Sequence, residues 1–226
     1  THVRAVLPQR KRINFIGQKG VPTQNVLAAC DFNLCFTFVL PGSMGTTHDS
    51  RILARAVHSP NVYFSEPADG KYYLVDSGFA YQSGYMAPYK GSNVCYHFQE
   101  FHDHCGDKRR FRNARERFNF HHLSCRNIIK RAFGVWKQRW KILDRMPSYS
   151  YQAQIVVVMA AMGFHNSLRR NGQLDEGFCM ANKVDDEEVE VELPDEEDEA
   201  AAEEDAVVDE NVSWTQLRDY IAHTIR

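Results

Sequence analysis

Tyr72-Tyr73-Leu74-Val75-Asp76-Ser77-Gly78-Phe79 sets four strand-forming residues against an acid, a serine and a glycine. Aromatic and β-branched side chains favour a pleated backbone and Ser-Gly interrupts it, so Tyr72–Val75 is predicted as a short strand that ends at Asp76. A carboxylate at the carboxyl end of a strand stands at a sheet edge, where open α/β sheets hold ligands and metal ions. Aspartate is also a turn-capping residue that accepts bonds from nearby backbone N–H groups, so the position has a structural explanation beside the chemical one.

Upstream of this strand, Gln24–Ala29 and Leu34–Leu40 are apolar runs separated by Asp31 and Asn33, a pattern that predicts a β-hairpin. Pro41-Gly42 is expected to close its second strand. Ile52, Leu53, Ala56 and Val57 follow His48-Asp49-Ser50 at helical spacing, with a capping residue in front and Asp49 the better cap. Downstream, Ser83–Gly106 reads as loop. Lys108–Lys141 then holds no proline, and Ile129, Phe133, Trp136, Trp140 and Leu143 recur on one helical stripe. Arg126, Lys130, Lys137 and Lys141 form a basic stripe beside it, and Pro147 is expected to break the helix. Gln152–Leu168 is predicted as a further, largely buried helix. Strand, hairpin, helix, strand and helix together give an α/β layer fold, and no glycine fingerprint after a strand makes it doubly wound.

The formal charge of −2 conceals a strong asymmetry. Residues 1–184 carry a net +13, whereas 185–210 hold 16 acidic residues and no basic one. A basic body joined to an acidic tract suggests a polyanion-binding surface with a disordered appendage. The longest apolar run, from Ile155 to Phe164, is too short to span a bilayer, so no membrane association is expected. Six scattered cysteines without a CxxC pair indicate reduced thiols in an intracellular compartment.

Several ordered motifs resemble one family. They are Asn25–Asp31, Phe36–Val39 leading to Gly42-Ser43, His48–Arg51, Tyr72–Phe79, Ala87-Pro88-Tyr89 with Gly91, and Arg126–Ile129 leading to Arg131–Gly134. Together they resemble the core of Harbinger-type DDE transposases, and most closely the plant transposase-derived nuclease-like proteins, over roughly residues 1–145. The resemblance implies an RNase H-like mixed sheet flanked by helices over residues 1–170, then an acidic disordered linker over 171–210 and a short C-terminal helix over 211–226. It also implies divalent-metal (Mg²⁺ or Mn²⁺) phosphodiester chemistry on three carboxylates, a DNA substrate and a nuclear location.

Only one of the three carboxylates carries over. Asp76 matches the second acid of the family and is the expected metal ligand. Thr1-His2 matches the end of the first motif, which places the first acid two residues before Thr1. The family glutamate falls at Lys130, whose charge would repel a metal ion and could pair with Asp76 instead, an inactivating departure. Glu116 lies fourteen residues earlier, about 21 Å along a helix axis, and cannot substitute.

His97, His102, His104, Cys105, His121, His122 and Cys125 have zinc-ligand chemistry but no standard finger spacing, and are read as ordinary loop and surface residues. Lys108–Arg145 carries 13 basic residues against Glu116 and Asp144, and on it Arg126, Lys130, Lys137 and Lys141 are the expected phosphate contacts, with Lys19 as an additional one. Three readings stay open: a DNA-binding nuclease relative with impaired chemistry, an interaction module that recruits a nuclear protein through its acidic tract and terminal helix, and an active metal-dependent endonuclease. Oligomeric state is not legible.

Overall fold

A computed structural model describes residues 1–17, 20–91, 94, 111–172 and 208–225. They divide into two compact units. Lys19, the loop histidines 97, 102 and 104, Cys105 and the acidic tract up to residue 207 lie outside the described residues.

The first unit comprises Thr1–Phe64 and, among the described residues, 128–172. Its sheet is antiparallel, in the order β1 (His2–Arg4), β2 (Thr23–Cys30) and β3 (Phe36–Met44). The expected hairpin turn is present: Asp31 Oδ1 accepts from the N–H groups of Asn33 and Cys35, both at 2.9 Å. Leu34 sits there at φ 63° with its side chain buried. The imidazole Nε2 of His165 meets its carbonyl at 2.9 Å. Burial holds the His165 imidazole below its ordinary pKa, so the neutral ring donates through Nε2–H.

β3 does not close at Pro41-Gly42 but runs on to Met44, with a register shift opposite Asn25/Leu27. The reason is its place in the sheet. Among the described residues it is an edge strand with one neighbour, so a proline without an N–H costs little, and Gly42 takes φ 86°. α1 (Asp49–His58) forms as expected, but its N-cap His48 makes no capping bond. Asp49 instead accepts from Asn25 Nδ2 at 2.7 Å, which ties the helix start to β2.

α2 spans Ala114–Arg139 and α3 spans Tyr151–Arg170. The basic stretch therefore leaves the helix earlier than Pro147. Trp140 has φ −99° and ψ 78°, its ring packs on Phe164 at 5.8 Å, and a 3₁₀ turn covers Lys141–Leu143. Lys141 is thus not on the helical stripe of Lys130 and Lys137. The core joins Val3, Val26, Leu34 and Phe36 of the sheet region to Ala132, Val135 and Trp136 of α2 and Val158, Ala161 and Met162 of α3, with Ile128 packed against it. Trp136 is fully buried and meets Phe36 edge-on at 6.1 Å. Two amides on α3 act as strand partners. Gln154 bonds both the N–H and the C=O of Val6 at 3.0 and 2.7 Å, and Asn166 does the same to Phe36 at 2.8 and 2.7 Å. Ser150 caps α3 by accepting from Ala153 N–H. This helix is not largely buried, however: Val156, Met159 and Phe164 are exposed, because only one face meets the core.

The second unit comprises Ser65–Asn127 and the C-terminal segment. β4 (Tyr73–Leu74) and β5 (Tyr85–Met86) pair in parallel, so the strand before Asp76 forms where expected. Among the described residues the five strands make two separate sheets, not one mixed sheet. α4 (Val208–Thr224) takes in the last three residues of the acidic tract. Met86, Tyr89, Phe118, Trp214 and Ala222 form the core of this unit. No described helix is long and apolar enough to cross a membrane.

Candidate functional site

Asp76 leaves β4 in a tight turn. Val75 N–H still bonds Met86 C=O at 3.0 Å, and Phe79 N–H bonds the carbonyl of Asp76 at 3.1 Å. Its Oδ1 accepts from Ser77 N–H at 2.6 Å and faces Ser77 Oγ at 3.3 Å, the local turn-capping geometry. The same oxygen takes a second and stronger partner, the Nη1 of Arg126 on α2. The Arg126 side chain is 13% exposed and that of Asp76 48% exposed, so the pair joins a nearly buried cation to a half-exposed anion.

One turn before Arg126, the buried His122 imidazole meets Met86 C=O at 2.9 Å. Burial is the main reason that its pKa is held down to about 4; Arg126 and Arg218 lower it further, and the bond to Met86 and the charge of Asp76 oppose them. The ring is neutral at pH 7, and its Nε2–H donates to Met86. His122 is thus buried within its unit, not the loop or surface residue expected. Asn119 completes this side of α2: its amide bonds both the N–H and the C=O of Tyr89 at 2.9 and 3.0 Å. Three turns of one helix thus hold the segment from Asp76 to Tyr89.

α4 holds the same segment as well. Arg218 stacks on both Tyr81 and Tyr89, 4.0 Å from each ring centroid. Tyr89 Oη donates to Asp219 Oδ1 at 2.6 Å, and burial with that carboxylate pushes the phenol well above its ordinary pKa. Tyr81 Oη donates to the carbonyl of Trp214 at 2.9 Å. The helix expected to recruit a partner therefore has Trp214, Arg218 and Asp219 engaged with its own unit. Tyr220, 67% exposed, is the aromatic that it leaves outward.

The structure accordingly brings Arg126, expected on a phosphate-binding stripe, onto Asp76. Lys130 lies one turn beyond Arg126 and Lys137 two turns beyond that; both are half-buried, and both belong to the first unit. Glu116 is buried and caps α2: its Oε2 accepts from Arg112 N–H at 2.8 Å while Asn113 Oδ1 accepts from Glu116 N–H at 2.9 Å. The Asn-x-x-Glu spacing would have identified this cap in the sequence. Arg126, by contrast, was legible only as one cation among many, and the spacing from Asp76 gives no hint of the pair.

A divalent ion at Asp76 would need further oxygen donors. Among the described residues no group of three His, Cys, Asp or Glu side chains is placed to hold a metal, and the one oxygen most engaged at Asp76 already serves Arg126 and Ser77. The described residues alone do not supply the two-ion arrangement that the resemblance implies.

A family model described as DDE superfamily endonuclease matches residues 1–166. No curated protein and no solved structure matches the chain. The match takes in both the hairpin and the Asp76 turn and extends through most of α3, and over that span the chain belongs to the DDE superfamily endonucleases.

Proposed function

We propose that the chain is a Harbinger-type, transposase-derived nuclease-like protein of the nucleus, which holds DNA on an RNase H-like core while its own phosphodiester chemistry is impaired. The family match supports a nuclease ancestry with DNA as substrate, and endonucleases of this superfamily work with divalent metal ions. The observation that carries the impairment is the Asp76–Arg126 pair. A metal ion approaching Asp76 meets a guanidinium already seated on the carboxylate, so like-charge repulsion and loss of that pair both oppose binding. Lys130, at the position of the family glutamate, adds a cation where a metal ligand is required.

DNA retention rests on charge. The excess of basic residues over 108–145 supplies phosphate contacts that need no base readout, with Lys137 and Lys141 among them and Lys19 as an additional contact far from them in sequence. The reading of the C-terminal helix as a recruiting element has less support, since Trp214 and Arg218 face residues of the same unit.

A nicking assay on supercoiled DNA with Mg²⁺ or Mn²⁺, run on the chain with and without additional upstream residues and beside Asp76→Ala, tests the proposal. Salt-sensitive DNA retention without nicking is the expected result. Nicking that Asp76→Ala abolishes would overturn the impairment.

A further inference from the structure

The first thirty residues contain Arg4, Arg10, Lys11, Arg12 and Lys19 and not one acid before Asp31. Three of these cations are consecutive, and the fold presents them in a fixed way. Gln9–Lys11 and Ile13–Phe15 are successive 3₁₀ turns, closed by Lys11 N–H to Pro8 C=O and Phe15 N–H to Arg12 C=O, both at 2.9 Å. Each end of the loop is anchored. Ala5 and Leu7 before it and Phe15 after it are buried together, and Phe15 meets the Tyr151 ring edge-on at 5.2 Å. Arg12 Nε donates back to Leu7 C=O at 2.8 Å, and Thr46 Oγ1 donates to Asn14 C=O at 2.8 Å.

Between those anchors Pro8 to Asn14 are all exposed. Arg10, Lys11 and Arg12 have no ion-pair partner among the described residues. Adjacent like charges held together without an acid repel one another in the free protein, and a closely spaced row of anions relieves that repulsion. Duplex DNA offers such a row, with one negative charge for about every 1.7 Å of helix axis. Because the two turns are already formed, few backbone dihedrals are left to order on binding.

We propose that the loop Pro8–Ile13 is a phosphate-backbone contact for duplex DNA, separate from Asp76, with Arg10 and Lys11 as its contacting side chains. Arg12 is the positioning member, since its Nε holds Leu7. The inference rests on the DNA-binding reading above, and it assigns the contact to a loop outside the basic helix. Ile13, 77% exposed beside the cations, has no part in a purely electrostatic contact.

The test is fluorescence anisotropy of a labelled random-sequence duplex with the full chain, over roughly 50 to 200 mM salt. Arg10→Gln with Lys11→Gln is expected to reduce the slope of log affinity against log salt by about 2, and to weaken binding roughly tenfold or more at fixed salt. Arg10→Lys, which keeps the charge, and Ile13→Ser are expected to leave the slope unchanged, and matched thermal melts show that all variants fold. A wild-type slope that survives the double substitution overturns the loop contact and leaves the DNA reading standing. No retention of the duplex by the wild type at low salt overturns both. Binding to an immobilised acidic peptide that Ile13→Ser abolishes, with duplex binding insensitive to the double substitution, makes the loop a protein-docking surface and overturns the proposal.

Discussion

Arg126 places its Nη1 on the same Asp76 oxygen that caps the Ser77 turn, so one carboxylate atom closes a backbone turn and neutralises a nearly buried guanidinium. The two partners differ in exposure, and the cost of removing each differs accordingly.

Asp76→Ala strands a cation that is 13% exposed, whereas Arg126→Met frees a carboxylate that water already reaches. The expected losses are about 2–3 kcal/mol for the first and about 1 kcal/mol for the second. Urea unfolding of both variants checks the order, and equal or reversed losses would remove the asymmetry.

His122 makes stability depend on pH. Its folded pKa, about 4, lies below the ordinary value of 6.5, so the unfolded chain binds the proton more readily. Its contribution is full above pH 6.5 and is lost as pH falls from there towards 4, by up to about 3 kcal/mol. His165, shifted in the same direction, adds to the slope. Melts between pH 7 and pH 4.5 should show the loss, and His122→Gln, whose amide can still donate to Met86, should flatten it.

The C-terminal helix should behave as part of its unit. Trp214→Ala is expected to cost about 3–5 kcal/mol, and Arg218→Met about 1–2 kcal/mol from the lost stacking on Tyr81 and Tyr89. Hydrogen exchange over α4 reads both. Unchanged protection of this helix in Trp214→Ala would show that it is held by other contacts.

Gly45 tests how tightly the start of the first sheet closes. A Cβ there would stand 2.6 Å from the carbonyl oxygen of Phe15 and 2.7 Å from that of Thr23, both backbone atoms that cannot swing aside. Gly45→Ala should therefore destabilise by about 2 kcal/mol or more, measured by chemical denaturation, while Gly134→Ala, with open space around it, should be neutral or stabilising.

Local patterns made much of the fold legible. The hairpin turn follows from Asp31 and Asn33, the first helix from the spacing of Ile52, Leu53 and Ala56, and the strand before Asp76 from its own eight residues. What was not legible depends on neighbours. Pro41-Gly42 reads as a stop in isolation, but an edge strand has no second partner to miss the proline N–H, so β3 continues. Trp140 fits the helical stripe by spacing, yet the helix ends before it and its ring packs on Phe164. Val156, Met159 and Phe164 look like core in a list of apolar residues, although only one side of their helix has a sheet to meet. At the site, Asp76 was identifiable from its strand, while its bond to Arg126, fifty residues away, leaves no local trace.

The two tyrosines behind Asp76 wait a long time for their partners. Tyr81 bonds Trp214 across 133 residues and Tyr89 bonds Asp219 across 130. During synthesis the chain emerges from its N-terminus, so this unit cannot close until α4 has left the ribosome, and Tyr81, Tyr89 and Phe118 stay uncovered until then. A message truncated before Trp214 would yield a family-matched segment whose Asp76 turn lacks one of its two supports, a species for quality control rather than a shorter functional protein.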